Sequence, residues 1–125
     1  MSEKSKLKSI RIIKKPWGEE EEISLNKKTT VKLLKISPKK KLSLQIHKKR
    51  DEFWQVIAGE CEIIIGNKKT QAKNGDRFFI PRNTVHRIIG GNKASEILEV
   101  SFGKWLVNDI ERLEDSFGRK GKKGR

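Results

Sequence analysis

Tyrosine is absent from this chain of 125 residues, and cysteine, methionine, histidine and proline number one, one, two and three. The single cysteine, Cys61, excludes an internal disulfide and fits a reducing compartment. No segment approaches the roughly 18 uninterrupted apolar residues of a membrane span. Residues 1–15 are charged but lack the apolar stretch and small-residue cleavage site of a secretory signal. The expectation is a soluble cytoplasmic domain with no membrane partner. At this length one domain can bury a core without disulfide or metal staples.

Charge is plentiful but unevenly spread. The net charge is +14. Residues 1–15 hold six Lys/Arg and one Glu, and residues 118–125 hold five Lys/Arg and no acid. The middle, 16–117, has nineteen bases against fifteen acids. The excess therefore sits on two ends that carry no aromatic residue for stacking on bases, so no specific nucleic-acid binding is expected. The chain divides into a basic N-terminal segment (1–15) able to supply an edge strand, one domain (16–117), and a basic tail (118–125) with nothing apolar to bury.

Short apolar runs fill the middle: Ser9–Ile13, Glu22–Leu25, Thr30–Ile36, Leu42–Ile46, Phe53–Ile57, Glu60–Ile65, Arg77–Ile80, His86–Ile89 and Glu96–Phe102. Turn signals such as Pro16-Trp-Gly18, Ala58-Gly59, Asn74-Gly75 and Pro81-Arg-Asn83 separate them, and Gly66-Asn67 is a hairpin turn. Many short strands at this spacing predict an all-β sandwich or barrel. Asn108 as N-cap, Asp109 and Glu111 in the first turn, and Ile110 with Leu113 predict a two-turn helix at the end. Trp17 is expected to plug one end of the barrel. Cys61, between Glu60 and Glu62, is expected to point inward as packing rather than act as a nucleophile.

Both histidines fall in one constellation. Gln45 and His47 share a strand face, Glu52 can rejoin it after a turn through Lys48-Lys49-Arg50, and His86 follows the Pro81-Arg-Asn-Thr turn. Imidazole nitrogens with carboxylate and amide oxygens suit one divalent metal ion, and the donor set admits Zn, Mn, Fe, Co or Ni.

These positions resemble the cupin superfamily. Its first motif runs Gly, five residues, His-x-His, three or four residues, Glu, six residues, Gly. Here Lys39 stands at the first glycine, Gln45 and His47 fill His-x-His, and Glu52 and Gly59 follow in place. The second motif, Gly, five residues, Pro-x-Gly, two residues, His, is met by Gly75, Pro81 and His86, with Asn83 at the glycine. Leu42-Ser-Leu-Gln-Ile-His47, Arg50-x-Glu52-x-Trp54, Pro16-Trp-Gly18 and Asn108-Asp-Ile-x-Arg-x-Glu-Asp-x-Phe-Gly-Arg119 are similar to the type II mannose-6-phosphate isomerase cupin. That domain often ends bifunctional mannose-1-phosphate guanylyltransferases.

The resemblance implies a double-stranded β-helix (jelly-roll) barrel, commonly a homodimer, holding the metal on Gln45, His47, Glu52 and His86. It implies isomerisation of mannose 6-phosphate and fructose 6-phosphate, with Glu52, Arg50 and Arg87 as the residues on substrate. Trp54 and Trp105 are expected in the core before any sugar-stacking role. The family has histidines where this chain has Lys49 and Phe53, which removes two groups able to move protons near neutral pH. The alternatives are a non-catalytic sugar-binding cupin and a different metalloenzyme on the same scaffold.

Overall fold

The computed structural model describes residues 10–115 and 117. The chain enters through a hairpin, β1 (Arg11–Lys15) and β2 (Gly18–Glu22), closed by Pro16 and Trp17. β2 lies earlier than the apolar run at 22–25 suggested. Surface charge pairs flank its backbone ladder with β1: Lys14 meets Glu19 at 2.8 Å and Arg11 meets Glu22 at 3.4 Å. Trp17 plugs nothing, because at this hairpin tip its side chain is 70% exposed.

Nine further strands follow: β3 (Thr29–Ile36), β4 (Leu44–Ile46), β5 (Arg50–Ala58), β6 (Glu60–Ile65), β7 (Lys68–Lys73), β8 (Arg77–Ile80), β9 (His86–Gly90), β10 (Ser95–Gly103) and β11 (Glu111–Glu114). They form two antiparallel sheets, ordered β3-β10-β5-β8 and β11-β4-β9-β6-β7. Alternation decides which side chains meet between them. Ile36, Trp54, Val56, Ile63, Phe78, Ile80, Ile88 and Ile97 make the buried core. Cys61 lies fully buried among them as a free thiol, and burial pushes its pKa up to about 11.

The terminal helix does not form. Val107–Asp109 makes one 3-10 turn, and Glu111–Glu114 is a strand paired with β4. Ile110 and Arg112 are buried while Glu111 and Leu113 are exposed, a period of two. Asp109 accepts hydrogen bonds from the Lys48 and Lys49 backbone N–H groups, at 3.1 and 2.9 Å, so it secures a distant turn instead of a helix start. Among the described residues no helix is long and apolar enough to cross a membrane. The 118–125 tail lies outside the described residues.

Gly59 is forced at the β5–β6 junction. Its φ is 73°, and a Cβ there would lie 2.4 Å from the Ala94 carbonyl oxygen.

Candidate metal centre and substrate cavity

Gln45 and His86 face each other across β4 and β9, and Glu52 pairs with Ile80 on the opposite sheet. A further tie joins the two halves of the constellation: the Asn83 N–H donates to the His47 carbonyl at 2.7 Å. The ligand atoms of His47, Glu52 and His86 consequently lie within 4.8 Å of one another, and all three residues are buried. Glu52 Oε1 is 3.6 Å from His47 Nε2 and 3.7 Å from His86 Nε2, and the imidazole centroids are 4.4 Å apart.

The donor states suit a cation. His86 Nδ1 lies 2.8 Å from the Thr84 carbonyl; a carbonyl only accepts, so Nδ1 is the donor and Nε2 keeps its lone pair. Burial, reinforced by His86 and Arg50, pushes His47 down to about 2, and burial pushes His86 down to about 4. Both rings are neutral at pH 7, the form that ligates. Glu52 Oε1 is buried with no hydrogen-bond partner. An orphaned carboxylate oxygen between two neutral imidazoles fits a metal ion; burial raises the Glu52 pKa in the absence of one.

The other Glu52 oxygen is held. Oε2 accepts from Arg50 Nε at 3.1 Å and from Ser101 Oγ at 3.3 Å. Gln45 lines the same cavity, of about 130 Å3, and its Nε2 donates to Ser43 Oγ at 3.1 Å. Arg87 lines the cavity too, with Nε donating to the Leu42 carbonyl at 2.9 Å and Nη1 pairing with Glu114 at 2.9 Å.

Glu99, Lys32 and Ile110 are among the cavity residues that escaped the sequence reading. Glu99 on β10 is buried and accepts from Trp54 Nε1 at 3.1 Å; burial and the neighbouring Glu52 push its pKa up to about 7. Lys32 on β3 and Ile110 also line the cavity. The signal was parity: Lys32 shares a face with Leu34 and Ile36, and Glu99 with Ile97. Conversely, Lys49 is exposed and Phe53 points away from Glu52 and Trp54, between Val100 and Phe79 on neighbouring strands. Neither lines the cavity. The departures from the histidine pattern therefore remove nothing from its wall.

Residues 2–115 match the family described as "Mannose-6-phosphate isomerase C-terminal". The chain belongs to that family. It is 36% identical over 107 residues to the alginate biosynthesis protein AlgA of Pseudomonas aeruginosa, covering 84% of this chain and 22% of AlgA. It is 30% identical over 111 residues to the mannose-1-phosphate guanylyltransferase ManC of Salmonella typhimurium, covering 87% of this chain and 23% of ManC. The chain thus spans less than a quarter of these relatives.

Solved structures share the cupin fold. One is a protein with a double-stranded β-helix domain from Klebsiella pneumoniae (TM-score 0.56, 25% identity, 60% of this chain and 67% of that one). Another is a cupin-superfamily sugar phosphate isomerase from Silicibacter pomeroyi (TM-score 0.56, 22% identity, 61% and 51%).

Proposed function

We propose that this family member is a metal-dependent isomerase interconverting mannose 6-phosphate and fructose 6-phosphate. The observation that carries the reading is the convergence of His47, Glu52 and His86 on one orphaned oxygen at the wall of a small cavity. With Gln45 beside them, these residues would hold one divalent ion, Zn, Mn, Fe, Co or Ni by donor chemistry. Such an ion, when bound, supplies Lewis-acid polarisation of a sugar carbonyl or hydroxyl oxygen.

The remaining work falls to side chains. Aldose–ketose isomerisation moves a proton between C1 and C2, and the carboxylates in the cavity wall are Glu52 and Glu99. Glu52, held on one side by Arg50, is the ligand, which leaves Glu99 as the freer carboxylate for the proton. Arg50 faces the cavity and suits a phosphate or oxyanion, whereas the Arg87 guanidinium is committed to Leu42 and Glu114.

A coupled assay with mannose 6-phosphate and added Mn, Zn or Co tests this directly. Fructose 6-phosphate should appear, and His47→Ala and His86→Ala should lose both turnover and bound metal. No product with any of the three metals would sink the isomerase reading. Sugar binding without turnover would point to the non-catalytic alternative.

A further inference from the structure

Gln45 differs from the other candidate donors in having two unlike ends. An amide oxygen can ligate a cation, whereas the amide nitrogen presents two hydrogens and no free lone pair. An imidazole or a carboxylate needs only to be aimed, but a glutamine must also be held the right way round. It turns about three side-chain bonds as well, so an unanchored glutamine loses conformational freedom when it meets a ligand.

Ser43 supplies the anchor. It lies immediately before β4, two residues from Gln45, and it is 1% exposed although serine is ordinarily a surface residue. Its Oγ accepts from Gln45 Nε2 at 3.1 Å. With the nitrogen drawn to Ser43, the oxygen is the end left to serve the cavity that Gln45 shares with His47, Glu52 and His86. The backbone under Ser43 is itself fixed. The Leu42 N–H donates to the Ile88 carbonyl at 2.9 Å, and the Leu42 carbonyl accepts from Arg87 Nε at 2.9 Å. Arg87 and Ile88 belong to β9, where His86 pairs with Gln45. The anchor of one donor is thus tied to the strand that carries another.

We infer that Ser43 is a positioning residue for the metal centre, which selects the orientation of the Gln45 amide that presents oxygen. The role rests on the reading above in which Gln45 joins His47, Glu52 and His86 around one divalent ion. Glu52 and His86 have orienting partners of their own, in Arg50 with Ser101 and in the Thr84 carbonyl. Groups of this kind typically contribute about 10–100-fold to metal affinity.

The test is competitive titration of the 125-residue chain with Zn and with Mn against a chromophoric chelator. Ser43→Ala should bind either ion about 10–100-fold more weakly than the parent. Gln45→Leu deletes the donor and should lose at least as much. Adding Ser43→Ala to Gln45→Leu should change affinity by no more than about 2-fold, because nothing is left to orient. In Gln45→Glu both terminal atoms are oxygens and there is no wrong way round, so Ser43→Ala should again cost no more than about 2-fold. Mere damage to β4 would instead persist in both backgrounds.

Parental affinity in Ser43→Ala, or a full loss retained beside Gln45→Glu, overturns the role. So does tighter binding by Ser43→Ala, which would mean that the hydroxyl had been donating to the amide oxygen and withholding it. Parental affinity in Gln45→Leu overturns it without any Ser43 variant. The two readings fail separately. A parent that takes up no metal removes the metal-dependent function together with the role of Ser43. Metal loss coupled between Ser43 and Gln45, with no fructose 6-phosphate formed, removes the isomerase and keeps Ser43 as the anchor.

Discussion

Arg50 Nε donates to Glu52 Oε2 at 3.1 Å, which turns the other oxygen of the same carboxylate toward His47 and His86. The pair is buried on both sides, at 3% and 1% exposure. Removing the guanidinium would leave an uncompensated carboxylate and free its rotation. Arg50→Met should therefore lose about 3–5 kcal/mol of stability in the metal-free protein. Metal affinity should fall about 10–100-fold, as for other groups that orient a ligand. Urea unfolding and competitive metal titration read the two effects; a fully stable variant with parental metal affinity would show that Glu52 orients itself.

Phe53 bears on the histidines this chain has lost. Its ring is buried between β10 and β8 on the face opposite Glu52, so a histidine there would meet Val100 and Phe79, not the cavity. Phe53→His should cost about 2–4 kcal/mol through lost packing and a buried polar ring, and should not raise isomerase turnover. A gain in turnover would mean that this position reaches the substrate after all.

Glu99 gives the cleanest pH signature. Burial, then the Glu52 charge, raises its pKa from 4.5 to about 7, so the fold prefers the protonated acid. Below about 4.5 both folded and unfolded chains hold the proton and nothing is lost. As pH rises toward 7 the unfolded chain sheds it first, and stability falls across that window. Glu99→Gln keeps an oxygen acceptor for Trp54 and cannot ionise. In chelated protein it should match the parent near pH 4.5 and exceed it at pH 8 by up to about 3 kcal/mol. His47 and His86 slope the opposite way, since their lowered values favour the unfolded chain in acid, but both are present in parent and variant. Parallel stability curves for the two proteins would remove the buried-acid account.

The cluster of His47, Glu52 and His86 was legible because histidine is scarce here and the spacings are fixed, and strand parity with one intervening turn was enough to bring the three together. The barrel strands were legible for the same reason of alternation. What failed was structure made without an apolar pattern. β2 is Gly-Glu-Glu-Glu-Glu, defined by its backbone ladder with β1 and flanked by surface pairs to Lys14 and Arg11. β11 looked helical because Ile110 and Leu113 are three apart, yet β4 offers an edge and Asp109 serves the Lys48–Lys49 turn. Lys32 and Glu99 were hidden by their charge: a charged residue on a strand is ordinarily read as outward, although parity with Leu34, Ile36 and Ile97 turns these two inward.

Lys39 and Asn83 occupy the two places where the cupin motifs carry glycine, and both keep a glycine-like backbone, at φ 60° and 63°. The turns are fixed from outside: the Lys39 N–H donates to the Gly91 carbonyl at 2.8 Å, and the Asn83 N–H to His47 at 2.7 Å. For a lysine this conformation costs roughly 1–2 kcal/mol, whereas asparagine adopts it more readily. Glycine would relieve the strain but also loosen the unfolded chain, offsetting about 0.4–1 kcal/mol. Lys39→Gly should therefore stabilise by about 0.5–1 kcal/mol and Asn83→Gly by less than about 0.5 kcal/mol. Asn83→Val, with a branched Cβ in a left-handed turn, should destabilise and, through His47, weaken metal binding. Thermal unfolding of the three variants orders them; a larger gain at Asn83 than at Lys39 would show that side-chain contacts, not backbone strain, set the stability of these turns.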